Sequence, residues 1–403
     1  MSSGASHLSA LSTWLYSCAR SGRGGLVNAK PRVAIVRARA IDRAVNKVAD
    51  GLSTHGYATT LLVWDRGRNV QTEENAHYTT RAFRMKAPYD KVTVFPYLPV
   101  WWLYELYFLW KGRYDIMHVC DLDTLFPAIV AKLIRRNKLC YHIYDFYADN
   151  LPNGRFTLVR RAIRGIIASI ERACVAFADV LFLVDESRLE EVRGARLPRV
   201  FYLYNSPRDL PQENKAVPIK RSDQSLLIFY AGVTEPKRGI EFLLRAVCEV
   251  DRVRVVLAGA LTDDRFLARI RENAARVQYI GWLHSYDEVL RWTLAADALF
   301  RFSDPTWPKT KYESPNKLFE AMMCGKPIIV SDQSRMADIV REEQCGIIVT
   351  YGNVEAIKAA IEAIRDNEHL RAKLGENGRR AYEERYNWGI MEARLLAAYR
   401  GLC

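Results

Sequence analysis

A short segment in the second half of the chain carries the densest set of residues that could do chemistry. Ser314, Pro315 and Asn316 are typical of a helix start, which puts Lys317 in the first turn and Glu320 one turn later on the same face. Backbone N–H groups at a helix start, with a lysine beside them, suit an anion such as a diphosphate. A carboxylate one turn further on can accept hydrogen bonds from the neighbouring hydroxyls of a ribose. Taken alone, the same pattern also fits a capped helix with a surface Lys–Glu pair.

Two adjacent cations form a second candidate site for an anion. Lys237 and Arg238 follow the turn at Gly232, which comes directly after a short apolar run, and they precede the next helical pattern. Such a loop can hold a phosphate, although a solvated basic loop has the same composition.

Asp145 is the candidate for proton transfer. It directly follows a β-branched and aromatic run, so it is predicted at the carboxyl end of a strand. A carboxylate at such a strand end, facing a cleft, can act as a general base on a hydroxyl group. Asp121 and Asp123 are only two residues apart and lack a third ligand at a suggestive spacing, so they do not predict a metal site. Capping of the following helix accounts for Asp123.

The elements that must position these residues alternate between strand and helix patterns. Short buried runs separated by helical periodicity predict parallel sheets with helices on both faces, an α/β fold. The expected strands lie at residues 33–36, 59–64, 114–119, 139–144, 180–184 and 200–205, and then at 226–230, 253–258, 277–280, 298–302 and 327–331.

The same pattern divides the chain into parts. Residues 206–225 are polar, contain three prolines and show no periodicity, so they are predicted to link two doubly wound domains that face each other across a cleft. The predicted parts are a poorly ordered extension over 1–30, an N-terminal domain over 31–205, the linker over 206–225, a C-terminal domain over 226–375 and terminal helices over 376–403 that cross back to the N-terminal domain.

The chain resembles a known family at several of these places. The run from Pro315 to Met322, followed by Cys324 to Ser331, resembles the donor-binding signature of GT-B glycosyltransferases, particularly family 4. The end of the strand at Tyr230 and the Gly281–Trp282 pair are similar as well, and the likeness extends along most of the chain after residue 30. The resemblance implies two Rossmann-like domains, a nucleotide sugar held mainly by the C-terminal domain, an acceptor held mainly by the N-terminal domain, and no obligatory metal or other cofactor.

Carried over residue by residue, the resemblance assigns roles. Lys317 would contact the donor diphosphate, Glu320 the ribose hydroxyls, and Arg238, with Lys237 beside it, a second phosphate oxygen. The full set of donor-binding residues that we predict is Gly232, Lys237, Arg238, Ser314, Pro315, Asn316, Lys317 and Glu320.

The chain departs from the family pattern near the donor. The family has an arginine directly after the strand-end glycine, where this chain has Val233. The family also has a glutamate eight residues before the one at Glu320, where this chain has Tyr312, with Glu313 one residue out of step.

A further departure concerns the mechanism. Tyr144 stands where the family often has a histidine, and Asp145 follows it. This placement is similar to that in xanthan-type glucuronosyltransferases, which invert the configuration of the transferred sugar. We therefore predict Asp145 as the catalytic residue.

The positive charge and the aromatic residues of the first half of the chain indicate which kind of partner it binds. Residues 1–200 hold 29 Lys and Arg against 18 Asp and Glu, whereas the rest of the chain is nearly balanced. Trp and Tyr side chains cluster over residues 97–110, and basic residues follow, a combination that suits an anionic membrane surface. An acceptor or the membrane is predicted to face Arg43, Trp101, Trp102, Arg160, Arg161 and Arg164.

Other classes of function fit less well. The eight cysteines include no closely spaced pair, which argues against a zinc ribbon or a disulfide framework and for a reducing compartment. We find no signature of a nucleic-acid-binding module and expect no nucleic-acid partner.

The sequence predicts a cytoplasmic glycosyltransferase, peripheral at the inner face of the cell membrane, which adds a sugar to a lipid-linked saccharide or polysaccharide in surface glycan assembly. The alternatives are a nucleotide-sugar epimerase of the same fold and a non-catalytic basic module that binds membrane or nucleic acid.

Overall fold

A computed structural model describes residues 30–40, 42–67, 77–89, 93–150, 157–210, 216–218, 225–262, 264–314 and 316–402. Nearly all of the predicted extension and most of the predicted linker therefore lie outside the described residues. Within the described residues the strands form two parallel sheets, each covered by helices. The α/β prediction is confirmed.

The first sheet has seven strands in the order β3-β2-β1-β4-β5-β6-β7. Alternate residues of the central strand belong to two separate apolar clusters, Val33 and Ile35 to one and Ala34 and Val36 to the other, so both faces of the sheet are covered. Its strands are β1 (Arg32–Arg37), β2 (Ala58–Trp64), β3 (Thr79–Phe83), β4 (Ile116–Cys120), β5 (Lys138–Ile143), β6 (Val180–Leu183) and β7 (Arg199–Tyr202).

Among the described residues, four α-helices lie between these strands. Asp42 starts the first of them by accepting hydrogen bonds from the backbone N–H groups of Ala44 and Val45. The later three pack on one face of the sheet, against the apolar cluster that includes Ala34 and Val36. The helices are α1 (Arg43–Thr54), α2 (Leu98–Gly112), α3 (Leu125–Arg135) and α4 (Thr157–Val175).

The second sheet has six strands in the order β10-β9-β8-β11-β12-β13. They are β8 (Leu226–Ala231), β9 (Val253–Ala258), β10 (Val277–Tyr279), β11 (Ala298–Arg301), β12 (Ile328–Ser331) and β13 (Gly346–Val349). The helices that follow β8 in the chain are α5 (Ile240–Glu249), α6 (Asp264–Glu272), α7 (Tyr286–Ala295), α8 (Asn316–Met323), α9 (Arg335–Glu343), α10 (Val354–Asp366), α11 (Glu368–Ala381) and α12 (Trp388–Arg400).

The last helix packs on the first sheet. A π-helical turn over Tyr382–Tyr386 separates α11 from α12. The Tyr399 hydroxyl on α12 lies 2.9 Å from Nδ1 of the buried His118 on β4, and Arg394 donates a hydrogen bond to the Tyr202 carbonyl. The helix α12 therefore completes the core of the N-terminal domain.

Ion pairs also join the two domains beside the cleft. Arg335 at the start of α9 contacts both carboxylate oxygens of the fully buried Asp185, which follows β6, at 2.8 and 3.0 Å. Lys311 contacts Glu190 at 2.6 Å. Both pairs hold the edges of the two sheets together. Among the described residues, no helix combines the length and the apolarity that a bilayer crossing requires.

Candidate active site

Two glycines form the floor of the cleft on the side of the second sheet. Gly232 follows β8 and Gly259 follows β9, and a Cβ at Gly259 would lie only 2.1 Å from the Gly232 carbonyl oxygen. Gly259 also has a φ of 117°, which side-chain-bearing residues rarely adopt. The two loops can therefore approach each other only with glycine here, and a ligand can rest against backbone.

The start of α8 faces this floor with a paired cation and carboxylate. Lys317 Nζ lies 2.8 Å from Glu320 Oε2, and the Tyr286 hydroxyl donates to Glu320 Oε1 at 3.1 Å. Glu320 is almost fully buried, whereas the Lys317 side chain is 20% exposed. This fixed carboxylate is suited to accept hydrogen bonds from a diol, and the lysine is suited to an anion.

Arg238 is engaged with a partly buried carboxylate rather than open to solvent. Its Nη1 lies 2.9 Å from Glu313 Oε1, and its guanidinium lies 5.2 Å from the centre of the Trp307 ring. Arg301 at the end of β11 donates to the same Glu313 oxygen, and the Ser303 hydroxyl donates to the other at 2.8 Å. One carboxylate thus holds two guanidinium groups, which leaves the cluster with an excess of positive charge.

Lys237 shares the aromatic platform of that cluster. Its ammonium lies 4.7 Å from the Trp307 ring centre. Tyr312, at the family's glutamate position, instead donates to Glu190 of the N-terminal domain at 3.0 Å. Val233 is exposed at the position of the family's arginine. The guanidinium that shares Glu313 with Arg238 comes instead from the buried Arg301, on another strand.

A single pocket brings several predicted residues together across the two domains. Arg43 from α1 lies beside it, with its guanidinium 4.5 Å from the Tyr286 ring centre. The large ring of Trp282 is 63% exposed at the pocket. The lining consists of Arg43, Ala231, Gly232, Ala258, Gly259, Trp282, Leu283, Val289 and Lys317.

Asp145 lies in the opposite wall of the cleft, after β5. Its backbone N–H donates to Asp121 Oδ1 at 3.1 Å, and its carboxylate lies 3.8 Å from Arg188 Nη2. The arginine favours the ionised carboxylate, the form that a general base requires. Asp145 is one-third exposed and so can be reached from the cleft.

Two histidines on the strands near Asp145, His118 and His142, are part of the core. Burial lowers the pKa of His118 to about 3, and the pKa of His142 is lowered by burial and by His118. The two ring planes are inclined at 60° to each other, with His118 Nε2 at 3.2 Å from His142 Nδ1. Both histidines are therefore neutral and structural.

The predicted membrane-facing residues need one clear correction. Trp101 is fully buried, stacks on Trp64 with ring centres 5.5 Å apart, and donates to the Asp123 carbonyl, so it does not face a membrane. Trp102 is half-buried and donates to the same carbonyl at 2.9 Å. The error arises because α2 is apolar on nearly all sides, so the sequence does not show which face meets the sheet.

The other predicted residues differ in their surroundings. Ser314 is buried just before α8, and Asn316 is exposed in its first turn. Arg161 is exposed on α4, and Arg164 pairs with Asp149 at 3.2 Å. Pro315 and the side chain of Arg160 lie outside the described residues.

Sequence reasoning did not assign a role to several residues that the structure brings to the site. Trp282 and Gly259 line the pocket, and Tyr286 holds Glu320. A glycine after a second parallel strand was the available signal for Gly259, because it repeats the position of Gly232. Within the described part of the chain, no three His, Cys, Asp or Glu side chains come together as metal ligands.

Comparison with known proteins agrees with this architecture. Residues 211–381 match the family model described as glycosyl transferases group 1. The chain is 23% identical over 300 residues to the N,N'-diacetylbacillosaminyl-diphospho-undecaprenol alpha-1,3-N-acetylgalactosaminyltransferase of Campylobacter jejuni, covering 70% of this chain and 74% of that protein. It is 24% identical over 185 residues to the phosphatidyl-myo-inositol mannosyltransferase of Mycobacterium leprae, covering 43% of this chain and 46% of that protein.

The chain spans about half the length of the first curated relatives that it matches, 48% and 46%. The similarity to solved structures covers nearly the whole chain. Sucrose-phosphate synthase of Thermosynechococcus elongatus superposes with a TM-score of 0.75 at 17% identity, over 93% of this chain and 99% of that one. At this identity the superposition shows the fold. Residues 211–381 are therefore similar to the group 1 glycosyltransferases, and the chain has the GT-B fold.

Proposed function

We propose that the chain transfers a hexose from a nucleoside diphosphate sugar to a lipid-linked saccharide or polysaccharide. The observation that carries the proposal is the pocket that joins the glycine floor, Lys317 and Trp282 of one domain to Arg43 of the other. Trp282 offers a ring on which a nucleobase can stack, Lys317 a cation for the diphosphate and Glu320 a carboxylate for the ribose. These three features match the nucleobase, the diphosphate and the ribose of a nucleotide sugar.

The cations next to the pocket support a role in charge stabilisation. Transfer breaks the bond between the sugar and the diphosphate, and negative charge develops on the departing diphosphate. Lys317 and the Arg238 cluster would stabilise that charge. Since these side chains can balance the diphosphate, the proposal requires no metal.

Asp145 would take the proton from the attacking acceptor hydroxyl. Its position in the opposite wall of the cleft and its contact with Arg188 support this role. A base on that side predicts attack opposite to the leaving diphosphate, and therefore inversion of the sugar's configuration.

We further propose that the N-terminal domain lies on the inner face of the cell membrane. The helices α2, α3 and α4 pack on the same side of the first sheet and expose large apolar side chains. Leu103, Leu133 and Leu158 are 70%, 65% and 78% exposed. Exposed apolar surface of this extent on a monomer marks an interaction site, and the exposed basic side chains among it, including Arg136 and Arg161, favour anionic lipid as the partner.

Nucleotide binding tests the donor site. Purified protein is titrated calorimetrically with UDP, GDP and dTDP, and the titration is repeated on Lys317→Ala and Glu320→Gln. Lys358→Ala is the control. It removes the ion pair of Lys358 with Glu249, and neither residue lines the pocket. We expect saturable binding of one nucleotide, weakened roughly tenfold or more by either site change and unchanged by the control. Folded protein that binds none of the three would refute the donor site and favour the non-catalytic basic module.

Two further measurements separate the remaining possibilities. Turnover of the donor sugar that needs no acceptor would indicate the epimerase. Sedimentation with vesicles containing phosphatidylglycerol tests the membrane surface, and Leu103→Asp with Leu133→Asp should reduce it. Equal sedimentation of the double variant and the unchanged protein would refute the membrane surface but leave the donor site intact.

A further inference from the structure

A lysine of the N-terminal domain lies where the chain crosses between the two domains. Lys47 is on α1, one turn after Arg43, which lies beside the pocket of the proposed donor site. Its Nζ donates a hydrogen bond to the carbonyl of Ser206, a buried residue at the first crossing. The same Nζ lies 4.8 Å from the ring centre of Trp388, which begins α12 after the second crossing. Both crossings therefore meet at this one amine.

The backbone around Ser206 is held in place from the second crossing. The Tyr382 hydroxyl donates to the Pro207 carbonyl at 3.1 Å. Arg379 near the end of α11 contacts the two carboxylate oxygens of Asp209 at 2.9 and 2.7 Å. Because these contacts fix the segment, the Ser206 carbonyl is a stationary acceptor, and the amine that it binds has a defined position.

Lys47 also faces the carboxylate of the proposed donor site in the other domain. Burial, and next the guanidinium of Arg208, lower the pKa of Lys47 to about 7. Asp42 at the start of α1 and Glu320 on α8 act in the opposite direction, so the Glu320 carboxylate lies close enough to affect the charge of the amine. Near neutral pH the amine is therefore divided between its charged and neutral forms.

The carboxylates that act on this lysine are paired with other cations. Asp42 is paired with Arg37 at 2.9 Å, and Glu320 with Lys317 at 2.8 Å. Lys47 itself forms no ion pair with a carboxylate of the described residues. The charged and titratable groups on the elements around it are Asp42, Arg43 and Asp50 in or beside α1, His77 before β3, Arg208 and Asp209 after Ser206, Tyr286 on α7, Lys317, Glu320 and Cys324 in or after α8, and Glu392 on α12.

Binding of the donor would change the charge that Lys47 faces. Lys317 is paired with Glu320 but is also the cation placed for the diphosphate. A bound diphosphate is more highly charged than a carboxylate, so it competes with Glu320 for Lys317. Glu320 then needs another counter-charge, and protonation of Lys47 supplies one from the opposite domain.

We propose that Lys47 is a positioning residue of the donor site, which takes up a proton from solvent when a nucleoside diphosphate binds. The charged amine balances Glu320 while Lys317 contacts the diphosphate, and it keeps its contacts with Ser206 and Trp388. The occupied donor site is thereby linked to both crossings between the domains. The inference rests on the proposed function, because it requires a nucleoside diphosphate at Lys317 and Glu320.

The test measures proton uptake by the full chain at about pH 8, where the terminal phosphate of UDP, with a second pKa of about 6, is already ionised. The protein is titrated calorimetrically with UDP in Tris and in HEPES, whose ionisation enthalpies differ, so the difference in heat gives the number of protons taken up. If GDP or dTDP is the nucleotide that binds, it replaces UDP.

Two variants and a matched control isolate the lysine. Lys47→Met removes the amine, whereas Lys47→Arg keeps a charge that does not titrate in this range. Lys132→Met is the control, because Lys132 is a half-buried lysine of the same domain that donates to the Phe177 carbonyl and pairs with Asp179 at 2.6 Å.

We expect the unchanged protein and Lys132→Met to take up about half a proton or more per nucleotide, and both Lys47 variants to take up almost none. Between about pH 7.5 and 8.5 the affinity of the unchanged protein should fall severalfold more than that of Lys47→Arg, with tenfold per pH unit as the limit. Lys47→Met should weaken binding about threefold to tenfold at about pH 6.5, where the unchanged lysine is charged.

Two results would overturn the role of Lys47. One is binding of nucleotide to the unchanged protein at about pH 8 without proton uptake, and the other is equal uptake by the unchanged protein and Lys47→Met. The first measurement needs no variant, so the test stands even if Lys47→Met fails to fold. Failure to bind UDP, GDP and dTDP is a separate outcome, which contradicts the donor site of the proposed function and the role of Lys47 with it.

Discussion

The substitution Glu313→Gln should destabilise the C-terminal domain strongly although it preserves shape. The Glu313 carboxylate accepts from Arg238, Arg301 and Ser303. An amide in its place carries no charge and presents N–H donors to at least one of these groups. Two guanidinium groups would then face each other without an anion.

The magnitude follows from the burial of the groups. Arg301 is 6% exposed, Glu313 18% and Arg238 15%. Removing one partner of a buried ion pair costs about 3–5 kcal/mol, and the partial exposure of two members places the loss near the lower end, about 3 kcal/mol. Burial lowers the pKa of Arg301, which shows that its charge is costly even with the carboxylate present.

The assay is urea unfolding of Glu313→Gln, Arg301→Met and the double variant, followed by circular dichroism. Because Arg301→Met removes the buried charge that Glu313→Gln leaves uncompensated, the double variant should lose about 2 kcal/mol less than the sum of the single losses. Glu249→Gln, in the exposed pair with Lys358, should cost less than about 1 kcal/mol. The reasoning is refuted if Glu313→Gln costs less than about 1 kcal/mol, or if the single losses add to within about 0.5 kcal/mol.

Three further predictions concern the core and the floor of the cleft. The folded-state pKa values of His118 and His142 lie below the unfolded value of about 6.5, so their contribution to stability should be constant above that pH and fall below it, by roughly 2 kcal/mol at about pH 5 for His118, with His142 acting in the same direction. His142→Phe should flatten the profile in urea titrations at several pH values, and an unchanged slope would contradict this assignment. Gly259→Ala should abolish nucleotide binding in calorimetry because its Cβ meets the Gly232 carbonyl, so wild-type affinity would exclude close approach of the two loops. Trp282→Ala should weaken UDP binding roughly tenfold by loss of stacking, whereas Trp282→Phe should retain most of the affinity, and equal affinities would show that the base binds elsewhere.

Most of the fold could be predicted from the sequence because buried parallel strands are read as short apolar runs. Two strands escaped prediction for physical reasons. Thr79–Phe83 forms an edge strand without a continuous apolar run, and Gly346–Val349 is a four-residue edge strand that begins with glycine. Edge strands are only partly buried, so their composition need not differ from that of loops.

The site was predicted where its residues are close in sequence. Lys317 and Glu320 are neighbours on one helix face, and their contact follows from their spacing. Arg301 ends a strand 12 residues before Glu313, and Arg66 follows a strand 22 residues before Pro88, so only tertiary structure shows what these arginines face. The prediction for Trp101 failed for a different reason. The composition of α2 indicated a helix with apolar surface, but it did not show that the Trp101 side chain points into the core.

The docking of α12 on the first sheet affects how the chain is made. The contact between His118 and Tyr399 joins residues 281 positions apart. Leu395 and Tyr399 complete an apolar core whose other members include strand residues of the N-terminal domain. On the ribosome, the N-terminal domain therefore keeps an open apolar surface until the residues up to Tyr399 have emerged. Protection of that surface during synthesis, by a chaperone or by transient non-native contacts, becomes a requirement for efficient folding.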